Sequence, residues 1–375
     1  MTPVRSPGTS EPGPIPALDG MRAIAVSLVF LAHSGLERFI PGGLGVTVFF
    51  VLSGYLITTL LRIEQGRRGH IGLGSFYMRR LLRLMPPLIV VVAAAALLSS
   101  FGLIDGGFSV GGLFATLLYF GNYHAIAHDF HGFPAGIGVV WSLAIEEHYY
   151  LLYPPLAAVM LRLGHQLRSA AAWLGSACLV VLAWRLWLVN HGASVNYLTM
   201  ATDTRVDAIL VGCVMALWRN PWLGRTAEPM RRREWGQAAL CVVALLATFL
   251  YRDEAFRLTL RFTVQSIAIA GLIFLAVAHA TEWPFRWLNA RPLVYLGSIS
   301  YTVYLSHHLI LLGLAKHWPQ WGWFGLTASG ALLTLLVAEP MRRWVEQPCA
   351  QLRQRLHRQA LARDAEPMFR LRALP

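Results

Sequence analysis

Apolar blocks recur along almost the whole chain, and they constrain its fold more than any other feature. A helix needs roughly 20 mostly apolar residues to cross the hydrocarbon of a bilayer. Blocks near that length lie at residues 17–34, 43–62, 84–104, 139–160, 170–189, 204–218, 236–251, 262–280, 294–315 and 322–340. They predict an all-α, polytopic integral membrane protein built as a bundle of about ten transmembrane helices. The charge content agrees: Asp, Glu, Lys and Arg make up 14% of the 375 residues, where a soluble domain carries about 25%. So few charges cannot cover a water-facing surface, which excludes an ordinary soluble enzyme, a disordered chain and a coiled coil. The segment 111–123 is apolar but short and flanked by glycine, and reads as interfacial or re-entrant.

The net charge of +13 is almost entirely arginine, Lys316 being the one lysine. Nucleic-acid binding would cluster such charge on a soluble face. Here the arginines fall between apolar blocks, so nucleic acid is not an expected partner and the lipid bilayer is. With the N-terminus inside, segments 1–16, 63–83, 161–169, 219–235, 281–293 and the tail after 340, together with Arg62, hold 24 of the 32 basic residues. Five fall outside (Arg38, Arg252, Arg257, Arg261 and Lys316), and Arg22, Arg185 and Arg205 lie within spans. The loop 105–138 has no Arg or Lys. The bias predicts that both termini are cytoplasmic, and the three arginines at 252–261 are its one local conflict. Residues 1–16, rich in Pro and Gly, read as a disordered cytoplasmic N-terminus, and 349–375 as a basic cytoplasmic tail. A removable signal peptide is not expected, because the first block contains Asp19 and Arg22 and many spans follow. The four cysteines form no CxxC pair and no zinc spacing, so neither a disulfide nor a metal is implied.

Ionisable groups inside spans cost about 2.5–3.5 kcal/mol each even on the mild insertion scale, so each needs a partner or a task. In LDGMRAIAVSLVFLAHSG, Arg22 and His33 are 11 residues apart, which places them on nearly one helix face, roughly 16 Å apart along the axis. A fixed cation and a titratable imidazole suit anion binding and general base work; a snorkelling Arg and an interfacial His are the alternative. WSLAIEEHYYLLYPP sets Glu146 beside Glu147. Neighbours on a helix point about 100° apart, so the two carboxylates are not expected to share a partner. In SFYMRRLLRLMPP, Arg80 and Arg83 face the same way, a geometry suited to gripping phosphate, although on this stretch alone cytoplasmic anchoring is the stronger reading. TDTRVDAILVGC carries Asp203, Arg205 and Asp207, for which a buried ion pair is a good explanation. LGSISYTVYLSHHLI brings Tyr301, Tyr304, His307 and His308 into helical register, and such polar groups bond across helices or line a cavity. Glu346 of WVEQP fits simple capping of the inner end.

These segments, with VFFVLSGYLIT at 48–58, occur in order over residues 17–348, and together they resemble the membrane-bound acyltransferase-3 family. The resemblance implies an O-acyltransferase of the O-acetyltransferase type in a ten-helix bundle, in a bacterial cytoplasmic (inner) membrane. Its co-substrate would be acyl-CoA, most simply acetyl-CoA, with no bound cofactor. The acceptor would be a saccharide or related hydroxyl compound, and glycan-assembly proteins would be partners. The family's Arg and His fall on Arg22 and His33, with His33 activating the acceptor hydroxyl and a neighbouring Glu or Asp orienting it. Arg80 and Arg83 would meet the acyl-CoA phosphates, and the family's Glu falls on Glu146 or Glu147. Asp19, Arg205, Asp207, Tyr304 and His307 would bind substrate or support the site. Thr47 stands where relatives often carry an acidic or polar residue, and His148 where Gln is common. Many relatives carry an extra SGNH hydrolase-like domain after the bundle; none is expected here, so a soluble second transfer step would need another protein. A multi-pass transporter or flippase for a glycan or metabolite is the rival reading. It predicts two pseudo-symmetric halves, and no internal repeat is visible.

Overall fold

A computed structural model describes residues 15–133, 135–162, 166–224 and 229–356. Every regular element in them is helical. In chain order they are α1 (Pro16–Leu31), a π-type turn (Ala32–Leu36), α2 (Gly42–Arg68), α3 (Leu73–Ser100), α4 (Val110–Leu117), α5 (Gly121–His128) and a 3-10 turn (Gly138–Val140). There follow α6 (Trp141–Arg162), α7 (Leu167–Asn190), α8 (Val195–Met200), α9 (Thr202–Trp218), α10 (Arg232–Leu250), α11 (Glu254–Leu258), α12 (Leu260–Ala278) and a second 3-10 turn (Phe285–Asn289). The chain continues through α13 (Arg291–Ser298), α14 (Ser300–His317), α15 (Trp323–Met341) and a second π-type turn (Arg342–Glu346).

Seven of these are long and apolar enough to cross a membrane: α1 with its π-type turn, α2, α3, α7, α10, α12, and α15 with its continuation to Leu356. The other three expected blocks are helices too. α9 has only 17 residues, while α6 and α14 are diluted by Glu146, Glu147 and His148 and by His307, His308 and Lys316. The block at 294–315 is two helices, broken at Ile299, and the segment 111–123 is the pair α4 and α5, which turn sharply at Tyr119 (φ 59°). α3 starts at Leu73, so Arg79, Arg80 and Arg83 are helical rather than part of a connecting loop. Of the expected N-terminal tail, residues 1–14 lie outside the described residues, while Ile15 is buried and Pro16 opens α1. Of the expected C-terminal tail, 349–356 is helical and 357–375 lies outside the described residues.

Two devices set the packing around the site. α2 and α9 touch backbone to backbone: a Cβ on Gly54 would sit 1.9 Å from Ile209 O, and one on Gly212 would sit 2.1 Å from Val51 O. Small residues at such a crossing are what let apolar helices approach closely in lipid. The second device offsets a proline. Pro155 has no N–H to give the Leu151 carbonyl one turn earlier, and the Tyr77 hydroxyl of α3 donates to that carbonyl at 2.8 Å instead.

α1 ends where Gly35 adopts φ 96°, a conformation glycine enters at little cost. The last turn widens to the π form, so His33 stands on a turn of the kind often found at functional sites.

Candidate active site

Two recesses enter the bundle from opposite ends of α1. The first encloses about 890 Å³ of empty space, with Arg22, Arg80, Arg83, Glu146, Ser53 and Tyr304 in its wall. The second, wider recess takes in His33 and His308, the loop around Ser109 and Gly132, and Val139 and Trp141. Arg22 lies on α1 and His33 on the π-type turn that continues it, and each lines a different recess.

In the first recess, Arg80 and Arg83 face the same space. The Arg80 guanidinium lies 4.3 Å from the centre of the Tyr150 ring. This stacking leaves the guanidinium N–H edge open to anions. Arg79, one residue away, is drawn off to Glu64 at 3.3 Å. Arg22 is paired with Asp19 at 2.7 Å. Arg353, beyond the expected tail boundary, lies close enough to Arg80 and Arg83 to repel both. Glu146 accepts from Ser53 Oγ at 3.1 Å and from the Tyr150 hydroxyl at 3.2 Å. Glu147, about 100° round the helix, opens into a different, lateral recess. The two carboxylates therefore part company: Glu146 lies in the first recess with Arg22, Arg80 and Arg83, while Glu147 lies in the lateral one, whose wall Arg80 and Tyr150 also share.

In the second recess the hydrogen bonds assign the tautomers. His307 is fully buried, and its Nδ1 lies 2.7 Å from Tyr304 O and 3.1 Å from Val303 O. Carbonyls only accept, so Nδ1 carries the hydrogen and Nε2 carries the lone pair. That lone pair faces His33 Nδ1 at 3.2 Å, and Val29 O lies 3.0 Å from the same nitrogen. His33 Nδ1 is thus the donor, and in the neutral ring its Nε2 is the free base nitrogen. A carboxylate was expected to orient His33; among the described residues its bonded partners are His307 and a backbone carbonyl. A residue on α14, remote in sequence, carries out that task.

A thin wall separates the recesses. The Tyr304 hydroxyl donates to Val139 O at 2.9 Å and accepts from Ser142 Oγ at 2.7 Å. Tyr304 faces the first recess and Val139 the second.

The remaining candidates are supports. Asp207 pairs with Arg185 of α7 at 2.6 Å, both side chains being fully buried, and Thr263 bonds to each. Its partner is not the neighbouring Arg205. Arg205 donates to Thr199 O at 3.1 Å and Thr47 Oγ1 at 3.3 Å, and stacks 3.9 Å from the centre of the Phe262 ring. Thr47, whose role was open, is thus a partner of Arg205. Asp203 accepts from Trp184 Nε1 at 2.7 Å and from the Tyr197 hydroxyl at 3.0 Å. Glu346 accepts from Thr302 Oγ1, which ties the second π-type turn to α14. Sequence reasoning missed Ser53, Ser142 and Tyr150 as wall residues, while His308 lines a recess as one of the polar groups of its helix. Ser53 lay in view inside VFFVLSGYLIT, but nothing local to that stretch marks it as the partner of Glu146.

A profile for an acyltransferase domain matches residues 15–339, which take in both recesses. The chain belongs to the acyltransferase-3 family. Among relatives of this acyltransferase-3 protein, the peptidoglycan O-acetyltransferase OatA of Listeria monocytogenes is 30% identical over 315 residues, covering 79% of this chain and 49% of that protein. YrhL of Bacillus subtilis, named as a candidate peptidoglycan O-acetyltransferase, is 29% identical over 351 residues, 89% of this chain and 54% of that protein. A candidate O-acetyltransferase of Staphylococcus aureus is 28% identical, with 89% and 57% covered. The chain spans about half the length of the curated relatives it matches. No solved structure matches it.

Proposed function

We propose that this acyltransferase-3 protein moves an acyl group, most simply acetyl, from cytoplasmic acyl-CoA to a hydroxyl of a saccharide or related acceptor. The supporting observation is the pair of opposed recesses, one carrying Arg22, Arg80 and Arg83 and the other carrying His33 with a free Nε2. The arginines take the phosphates of CoA in the first recess, where planar guanidinium groups bind phosphate oxygens two at a time. Glu146 holds Ser53 and Tyr150 in the wall beside them. The flexible thioester arm threads past Tyr304 and Ser142 to the second recess. There His33 Nε2 takes the proton of the acceptor hydroxyl as its oxygen attacks the thioester carbonyl. The carbon–sulfur bond breaks, and the leaving thiolate receives that proton, so an ester and free CoA result.

The peptidoglycan named for OatA makes a cell-wall saccharide the first acceptor to test. The orientation that fits is a bundle of ten spans with both termini cytoplasmic, placing the His33 recess and the loop 105–138, which has no Arg or Lys, outside. The test is transfer of labelled acetyl from acetyl-CoA in membranes. His33→Ala is expected to lose about 100-fold or more in turnover, the scale of a lost general base. Undiminished turnover would overturn the base assignment, and transfer that needs no acyl-CoA would overturn the mechanism and favour a transporter.

A further inference from the structure

The lateral recess beside Glu147 has no part in the acyl transfer described above. With its open mouth included it measures about 1110 Å³ between α3, the α4–α5 turn and α6, and Arg80 and Tyr150 stand in its wall without bonding to Glu147 Oε1. Its rim exposes Met78, Leu81, Leu118, Phe120 and Leu151, with Leu81 51% and Leu151 61% accessible. In a membrane protein, surface of this kind faces lipid, so the recess opens sideways into the bilayer and not to water.

Its deep end is polar. Glu147 Oε1 is buried there without a hydrogen-bond partner. His148 Nε2 and the Tyr119 hydroxyl, in the same recess, are buried without partners of ordinary geometry. His148 is held in place through its other nitrogen, which lies 2.7 Å from Thr202 Oγ1. Buried polar atoms are almost always bonded, and an unmet carboxylate oxygen facing hydrocarbon is among the costliest exceptions. Water from the bilayer side is scarce. The missing partner must therefore bring a hydrogen-bond donor and arrive through lipid.

We infer that this recess is a binding site for a long-chain alcohol, whose aliphatic body lies along Met78, Leu81 and Leu151 and whose terminal hydroxyl donates to Glu147. The apolar rim selects the chain and the carboxylate selects the hydroxyl. A monoacylglycerol and a polyprenol share this chemistry. Binding here rests on Glu147 and the apolar rim and needs neither acyl-CoA nor His33, although Arg80 and Tyr150 wall both recesses.

The test uses the full chain reconstituted in phosphatidylcholine vesicles without acyl-CoA. A diazirine-bearing long-chain alcohol is photolysed beside the matched diazirine alkane, and labelled peptides are mapped. The alcohol is expected to label the Met78–Leu81 and Leu151 peptides about ten-fold more than the alkane, the preference one hydrogen bond to a charged group confers. Glu147→Leu removes the preference. Leu81→Trp, which fills the recess and leaves Glu147 in place, removes the labelling. Competition with monoolein or with a polyprenol identifies the natural source by which one displaces the probe. Equal labelling by alcohol and alkane, a preference that survives Glu147→Leu in folded protein, or displacement by neither competitor would each overturn the inference.

Discussion

The placement of His33 depends on two residues beside it. Gly35 lets α1 turn out of its helical path, and His307 fixes which imidazole nitrogen holds the hydrogen. His307→Ala should therefore lower turnover by about ten-fold while leaving acyl-CoA affinity unchanged, because it weakens one hydrogen bond to the base and not the donor site. Steady-state kinetics that separate kcat from KM check this. Arg80→Ala and Arg83→Ala should move the other parameter, raising KM for acetyl-CoA about ten-fold each by removing charge-assisted bonds. Arg80→Lys should recover only part of that loss, since a lysine keeps the charge but not the planar fork stacked on Tyr150. The Arg185–Asp207 pair yields a stability prediction. Arg185→Met strands a buried carboxylate and should cost about 3–5 kcal/mol, whereas replacing both partners with apolar residues should cost much less. Thermal unfolding in detergent distinguishes the two cases.

At the scale of elements, most of the architecture was legible because hydropathy reports length and continuity. Ten blocks were read, and ten long helices stand at those places. What hydropathy does not carry is direction between helices. The alternation Asp203, Arg205, Asp207 pointed to a local pair, yet the partner of Asp207 is Arg185, 22 positions earlier on α7. The 100° between Glu146 and Glu147 was legible as a divergence; which carboxylate met the arginines depended on how α6 is rotated against α3. For the same reason the side chain bonded to His33 is not the expected carboxylate but His307, which comes from α14. Breaks at single residues, at Ile299 and Tyr119, left no mark in an apolar run. The elements themselves can be tested at their contacts. Gly54→Ala should weaken the α2–α9 crossing, lowering the unfolding temperature and the folded yield, because its Cβ would meet a carbonyl oxygen rather than a movable side chain. An alanine at Gly43, where nothing lies within 4 Å of the added Cβ, serves as the matched control.

For the whole molecule, the arginine bias makes a claim about sidedness that chemical labelling can check. In a background without native cysteines, Gly69→Cys should react with a membrane-impermeant maleimide only after the cells are opened, and Gly107→Cys should react in intact cells. The reverse pattern would turn the bundle over and put the His33 recess in the cytoplasm.

The wall at Tyr304 also has an electrical consequence. With a water-accessible recess on either side, much of the membrane voltage would fall across that one layer of side chains instead of across the full bilayer. Each elementary charge crossing it would exchange roughly 2.3 kcal/mol with the field per 100 mV. In the proposed transfer the phosphates of CoA would be held on one side and an uncharged acyl group would go through, so nothing that crosses would carry charge. Transfer of this kind neither drains the membrane potential nor draws on it, and its rate should stay flat when the potential is collapsed.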